Sequence, residues 1–500
     1  MGRANLFLLL RAAQKKRVIQ KKEEMLMSNS EQNVHMQRSL RAIDLWSLAL
    51  GAMIGWGCFV LPGNMFLRES GPLGTFIGMM IGAAMTIVIS LSFTYLIQKF
   101  PVSGGAFVYA DAAFGKLHAF ICGWFLVLTY WCLIPLNGTA VGLVARYIFP
   151  GVLSNENTIL YQVAGWDVYA GELVVAILSI VILAWVNVRG VSFTGAVQTA
   201  VAMGLVGAIL LLVAGALWQQ PDLNNLSPGY GEAGALKGIF AVAAIAPWAF
   251  IGFDSIPQAA GEYRFSQKKT ILIMVSATFI AGMMYVTVNT VTAVVMPWQE
   301  LINSDTNWAT GTAVEMLLGK VGLILVAIAM ICAVVSGLNA FFLSASRVMY
   351  TMAKADALPA YFGKLDPVTA IPKNGIVFLC ALAVIAPFFG REVLNWIVDM
   401  TSVGASLGFL YTCSAAAVFA KRYGDKKFVI IGVFGSLFSL LFLGLLLIPI
   451  APGALSVPAY SALGIWVFLG AIFYLVIRKK YLVSDKLSKM VDEALEEVAK

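Results

Sequence analysis

Charge is scarce in this chain: Asp, Glu, Lys and Arg make up 12% of its 500 residues, about half the share of an ordinary soluble domain. So few ionic side chains cannot clothe a water-facing surface, which excludes a soluble globular fold over most of the length. Histidine occurs only at His35 and His118, both near the ends of apolar segments. The six cysteines (Cys58, Cys122, Cys132, Cys332, Cys380, Cys413) fall inside apolar segments, with neither metal-ligand spacing nor a disulfide framework. No general base, nucleophile or metal set stands at a workable spacing. The chain is not expected to be an enzyme or to carry a cofactor or metal.

Apolar residues abound, at 60% of the positions, and stretches of about 20 recur along the whole length, as in a polytopic helical membrane protein. Spans are expected at about 41–66, 72–98, 114–149, 168–186, 192–218, 237–260, 270–297, 321–350, 375–390, 394–418, 428–450 and 456–477. Alternate gaps collect 29 of the 34 Lys and Arg residues. That asymmetry predicts an even span count with both termini cytoplasmic, in a plasma membrane of bacterial inner-membrane type. The net charge of +8 is spread over these gaps rather than gathered on one face, so no nucleic-acid partner is expected.

Two spans are interrupted. GAMIGWGCF, Gly51 to Phe59, puts three glycines within seven residues of the first span. Each costs helix stability of about 1 kcal/mol relative to Ala and lets the backbone leave helical geometry. AAIAPWAFIGFDSIPQAAGE, Ala243 to Glu262, brings Pro247, Gly252, Asp254 and Pro257 into the sixth. A proline removes a backbone donor, and a carboxylate at that depth is costly unless paired or in a cavity. Breaks opening two five-span halves are the expected trace of an inverted repeat, with the solute site where they meet. Asp254 reads either as a coupling or charge-recognising group or as a cap that orients a helix end.

Elsewhere, Gly74, Gly78 and Gly82 recur every four residues and read as a packing face. FPVSGGAFVYADAAFG, Phe100 to Gly115, fits a short helix or re-entrant turn. Residues 1–37 read as a basic tail, part of it an over-extension ahead of Met25 or Met27, and 481–500 as a tail with a short amphipathic helix. Asp399 is expected to hold the tenth span against its neighbours, and Glu262 to pair with Arg264.

These motifs, in this order over roughly 38–480, resemble the amino acid–polyamine–organocation permeases. GAMIGWGCF looks like the family's first-helix glycine motif. FPVSGGAFVY with FGKLHAFICGW looks like its Pro-Gly-Gly stretch and the aromatic segment after it. Asn187, Gly190 and Gln198 match its Asn-x-x-Gly turn and following Gln. Phe250, Gly252, Phe253 and Asp254, with Glu262 beyond, match the sixth-helix pattern, and RVMYTMAKADALPAYFGKLDP looks like the exit of its eighth helix. The resemblance implies a leucine-transporter-like fold of five plus five inverted spans with two extra helices. The first repeat would run over about 41–218, the second over 237–418 and the extra helices over 428–477.

The resemblance further implies secondary active transport of amino acids by alternating access. Backbone N–H groups near Ile54, Gly55, Trp56 and Gly57 would hold a substrate carboxylate. Carbonyls around Ala246, Trp248, Ala249 and Ile251 would meet its amine, and Phe250, ranked above Trp248, would form a lid. Met53, Gly252, Asp254, Tyr130, Asn137, Ser336 and Asn339 complete the candidate substrate-binding residues. One departure matters: relatives carry a lysine seven positions after the motif's Gln, and here that position is Leu205. The expected partners are a small amino acid or amine, protons or a counter-substrate, and the lipid bilayer, in a monomer or homodimer. A polyamine or cationic amino acid exchanger of the same fold is the alternative. A non-transporting receptor or a channel is the alternative of a different class. With no G-x-x-x-x-G-K-[ST] stretch, ATP-driven transport would require another subunit.

Overall fold

The computed structural model describes residues 36, 38–149, 151–163, 166–304, 308–451 and 454–499; the rest of the expected tail over 1–37 lies outside them. Among the described residues, ten helices are long and apolar enough to cross a membrane. Side chains such as Leu178, Trp185, Leu210, Leu272, Ile324 and Leu437 stay exposed and give the bundle the apolar skin that lipid contact requires.

The chain enters through α1 (Ala42–Ile54), breaks, and resumes as α2 (Gly57–Leu61), a wide π turn over Pro62–Phe66 and α3 (Leu67–Lys99). α4 (Ala106–Phe114) is the short helix expected within 100–115, and α5 (Lys116–Ile148) follows it. A hairpin of β1 (Ile159–Val163) and β2 (Trp166–Tyr169) then pairs antiparallel. Reading for long apolar runs is blind to so short an element. α6 (Ala170–Val188) and α7 (Val191–Gln219) close the first half.

The second half runs through α8 (Ala235–Ala249), a break, α9 (Ser255–Gln258), α10 (Thr270–Val294), α11 (Trp298–Asn303) and α12 (Ala309–Lys354). It continues through α13 (Lys373–Ala383), α14 (Gly390–Arg422), α15 (Lys426–Leu447), α16 (Val457–Val483) and α17 (Lys486–Ala499). Two of the expected spans, around 237–260 and 375–390, thus appear as shorter apolar helices. α8 stops because the backbone unwinds after Ala249, and α13 because it gives way to a 3-10 turn at Ala386–Phe389.

α12 runs through the interior against α5, α7 and α1, while α3 lies on α8 and α10. Gly78 makes the second contact close: a Cβ there would sit 2.8 Å from the Ile239 carbonyl oxygen. α16 lies outside, with 6% of its most apolar stretch buried. It is held where the Trp124 indole N–H donates to the Trp466 carbonyl at 3.1 Å and the two indoles stack 4.6 Å apart. Asp399 on α14 accepts from Ser456 Oγ at 3.3 Å, tying α14 to the start of α16.

At one end of the bundle the chain ahead of α1 pairs with the segment after α9. Ser39 and Leu40 N–H both donate to the Glu262 carbonyl at 3.0 Å, and Arg264 N–H donates to the Leu40 carbonyl at 2.9 Å. The Glu262 side chain does not pair with Arg264, which is exposed. It takes a two-pronged contact from Arg347 on α12, Nε to Oε1 at 2.8 Å and Nη2 to Oε2 at 3.1 Å. Both side chains are buried, at 2% exposure or less. The correction is one of topology: α12 passes directly beneath residue 262, which local spacing cannot reveal.

The C-terminal helix α17, expected as a surface helix, docks at the same end by burying Leu487. Asp356, just past α12, clasps it through Lys480 at 2.6 Å, Lys486 at 2.9 Å and Ser484 Oγ at 2.9 Å. Burial opposes ionisation of Asp356, but hydrogen bonds from Lys480, Lys486 and Ser484 and the charge of Lys486 outweigh it and hold the pKa at about 2. With the folded value below the ordinary 3.8, the clasp's contribution is complete above that value and lost as pH falls toward 2. Asp356→Asn is expected to free the junction of α16 and α17 at neutral pH. Faster tryptic cleavage after Lys486 and Lys489 reads this out, whereas the parent protein keeps its protection down to about pH 5.

Candidate functional site

The site begins at Gly55. Its φ of +46° and ψ of −162° belong to a backbone region essentially reserved for glycine. The Gly55 N–H still closes the last turn of α1 on Gly51 at 3.2 Å; beyond it the helix direction is lost until α2 restarts at Gly57. A helix that stops leaves its last carbonyls without N–H partners, and one that starts leaves its first N–H groups without acceptors. Two of those carbonyls, of Met53 and Ile54, share the Tyr285 hydroxyl of α10 at 3.1 and 3.2 Å. A buried tyrosine hydroxyl needs such a partner. That residue type on an apolar helix was a visible signal, but the sequence did not show which face Tyr285 occupies.

The second break covers 250–254. Gly252 adopts φ +136°, and a Cβ there would lie 2.6 Å from the Ala52 Cβ and 2.8 Å from the Met53 nitrogen. The two breaks therefore touch backbone to backbone. Asp254, 1% exposed, holds this geometry: Oδ1 accepts from the Gly252 N–H at 2.9 Å and Oδ2 from the Tyr130 hydroxyl at 2.6 Å. Gln258 Nε2 donates to the same hydroxyl at 3.1 Å. Of the two readings of Asp254, the geometry is that of the cap: it pins the unwound segment to α5.

Between the breaks lies a small cavity lined by Ala52, Met53, Ile54, Gly55, Trp56 and Leu133, then Asn137, Trp248, Ile251, Tyr285 and Phe341. Its volume of about 20 Å³ admits a water molecule and not an amino acid. None of the lining side chains is charged. Asn137 donates through Nδ2 to the Leu133 carbonyl at 2.8 Å. Its Oδ1, like the Trp248 indole N–H, is buried without a hydrogen-bond partner among the described residues. An open acceptor and an open donor thus stand at the wall of an otherwise apolar chamber. The Trp56 and Trp248 rings meet edge to face at 5.7 Å. Trp248 also rests on Gly57, where a Cβ would come within 2.6 Å of its ring.

Of the residues anticipated from sequence, the structure brings Met53, Ile54, Gly55, Trp56, Asn137, Trp248 and Ile251 to the cavity wall. Gly57 and Gly252 lie behind it in close backbone contacts, and Ala249 is buried at the end of α8. Ala246 contributes α8 backbone; its side chain lies outside the described set. The ranking of the aromatics is reversed. Trp248 lines the cavity, while Phe250, 0% exposed, packs against Tyr285 at 6.4 Å.

Tyr130 serves Asp254, and Ser336 and Asn339 sit in a separate buried network. Gln198 donates to the Ser47 carbonyl at 2.9 Å and closely to Ser336 Oγ, and its Oε1 accepts from Asn339 Nδ2 at 2.8 Å. Asn187 Nδ2 donates to Asn339 Oδ1 at 2.8 Å. This network knits α1, α6, α7 and α12 together. Leu205, on the same helix as Gln198, is fully buried. Ala52, Leu133, Tyr285 and Phe341 are cavity residues that sequence reasoning missed. Among the described residues, no three His, Cys, Asp or Glu side chains converge as a metal site would require.

The sequence profile of the amino acid permease family matches residues 40–470. The chain is 25% identical over 483 residues to the methylthioribose transporter of Bacillus subtilis, covering 94% of this chain and 99% of that one. It is 26% identical over 413 residues to a branched-chain amino acid permease of the same organism, covering 78% and 82%. Against the mouse cationic amino acid transporter 4 the identity is 25% over 400 residues, 78% of this chain but 61% of the mouse protein. Two meeting helix breaks in a bundle of apolar spans, together with a family match over most of the chain, lead to one assignment. The chain belongs to the amino acid permease family, within the amino acid–polyamine–organocation superfamily of membrane transporters.

Proposed function

We propose that this permease moves a small neutral amino acid across the plasma membrane by alternating access, with the solute bound between the breaks after α1 and α8. The observation that carries this reading is the chamber where those breaks meet, whose lining has no charged side chain. Peptide groups at broken helix ends suit the two charges of a zwitterion. N–H groups at the start of α2 favour the carboxylate, and carbonyls at the end of α8 favour the amine. Asn137 Oδ1 and the Trp248 N–H supply further unfilled bonding capacity. In this reading the ten long and two shorter apolar helices make twelve spans, five plus five inverted and two peripheral, with both termini cytoplasmic. The water-sized cavity is then a contracted state that widens by rotation of Trp56 and Trp248.

The relatives' names differ in solute: a thioribose, branched-chain and cationic amino acids, and, for a serine/threonine exchanger of Bacillus subtilis, hydroxylated ones. A cationic side chain would need a free carboxylate in the chamber. Asp254 has one oxygen on Gly252 and the other on Tyr130, which supports the neutral reading. Leu205 in place of a lysine supports exchange or facilitated passage over proton coupling through that helix.

Purified protein in liposomes loaded with neutral amino acids should therefore show counterflow without a proton gradient. Counterflow confined to lysine, arginine or polyamines would overturn the neutral reading. Gly55→Val should abolish uptake with membrane insertion near normal, because a branched residue at this backbone geometry costs about 1–3 kcal/mol and intrudes where the carboxylate binds. Undiminished uptake by well-folded protein would reject that placement. Tyr285→Phe strips the shared donor from the Met53 and Ile54 carbonyls and should lower uptake about tenfold, the equivalent of one buried hydrogen bond. An unchanged rate would leave Tyr285 a packing residue.

A further inference from the structure

At the end of α12 that carries Arg347, a cavity of about 630 Å³ opens between the loop after α12, the start of α13 and the junction of α16 with α17. Five lysines from separate segments line it: Lys354, Lys364, Lys373, Lys480 and Lys486. Against them stand two carboxylates, Asp356 and Asp366, so three positive charges are in excess. Neither carboxylate is open to more partners. Asp356 is committed to Lys480, Lys486 and Ser484. Asp366 folds onto its own turn, where Oδ1 accepts from Val368 N–H at 3.0 Å, Thr369 N–H at 2.9 Å and Thr369 Oγ1 at 3.0 Å. Lys354 has no carboxylate within ion-pair reach among the described residues; its ammonium stands 5.7 Å from the Tyr350 ring.

The orientation rule for membrane proteins accounts for lysines on one side of the bilayer. It does not require five of them, drawn from separate parts of the chain, to enclose one concave space. Gathering like charges raises the free energy of the fold unless a counter-anion occupies the space, and phosphate, with several acceptor oxygens and more than one charge, suits ammonium groups converging from several directions. We propose that this cavity binds a phosphate-bearing anion, either the headgroup of an acidic lipid or a soluble phosphate compound. Lys354, Lys364 and Lys373 hold it on the transporter core and Lys480 and Lys486 close over it. The bound anion thereby bridges α12 and α13 to the C-terminal helix, beside the clasp that Asp356 already makes. The chamber between the helix breaks plays no part in this site, so the two proposals stand or fall separately.

The test uses the full-length protein in a neutral detergent, with two probes. Pyrophosphate binding is followed by titration calorimetry, and phosphatidylglycerol retention by native mass spectrometry, with phosphatidylcholine as the uncharged comparison. Lys364→Gln/Lys373→Gln should weaken binding about tenfold or more, whereas Lys421→Gln/Lys427→Gln, exposed lysines outside the cavity, should not. Lys364→Arg/Lys373→Arg should restore it, and an unchanged gel-filtration profile shows that each variant folds. Retention of phosphatidylglycerol alone assigns the site to lipid, and pyrophosphate binding alone to a soluble phosphate. Equal weakening in both glutamine pairs would reduce the effect to diffuse surface charge and overturn the proposal. So would failure of both probes to bind the parent protein.

Discussion

Peptide groups that leave a helix inside an apolar bundle must find other partners, and this obligation organises the molecule. A lone N–H or C=O in hydrocarbon costs several kcal/mol, so an unwound stretch survives only where something else satisfies it. Here two stretches unwind against each other. Tyr285 serves the carbonyls that end α1, and Asp254 serves the N–H of Gly252. What those two side chains leave unserved is the bonding capacity a solute can use. Stability and recognition thus draw on the same few groups, and the breaks sit at the contact of α1 and α8 rather than on a lipid-facing surface.

The surrounding architecture keeps those segments in register. The network through Gln198, Ser336, Asn339 and Asn187 fixes α7, α12 and α6 relative to α1. Arg41 and Thr199 both bind Asp44, so the start of α1 is tied to α7 as well. α8 is bound differently, by close backbone approach to α3 at Gly78 and by the Asp254–Tyr130 link to α5. Each broken helix therefore has its own set of anchors, and the two sets meet only through the breaks and the Glu262 segment. That separation is what relative motion of two bodies about a shared solute demands.

Much of this was legible in the sequence because it follows from local chemistry. Run length and charge placement located the spans, and the clustered glycines and the Pro–Gly–Asp segment located both breaks to within a few residues. What stayed hidden was azimuth. Asn137 and Asn339 look alike as polar residues on apolar helices, yet one reaches the chamber and the other a packing network, since nothing in a nearly all-apolar helix marks which face looks inward. The same blindness set Phe250 above Trp248 and passed over Tyr285. Partners remote in sequence were equally invisible: Glu262 has a cation two positions away, but the one that meets it lies at Arg347, 85 residues on.

That carboxylate–guanidinium contact has a bearing on how the protein cycles. An ion pair sealed in a dry interior gains less than its Coulomb attraction suggests, because both ions have surrendered their hydration; losing one member into an apolar void would be ruinous, but exchanging each for solvent is nearly neutral. The fastening between residues 262 and 347 can thus come undone cheaply only if an aqueous path arrives as it parts. Such a joint resists thermal slackening while the vestibule is dry and yields readily once it floods, so hydration of the passage and release of the joint become a single event.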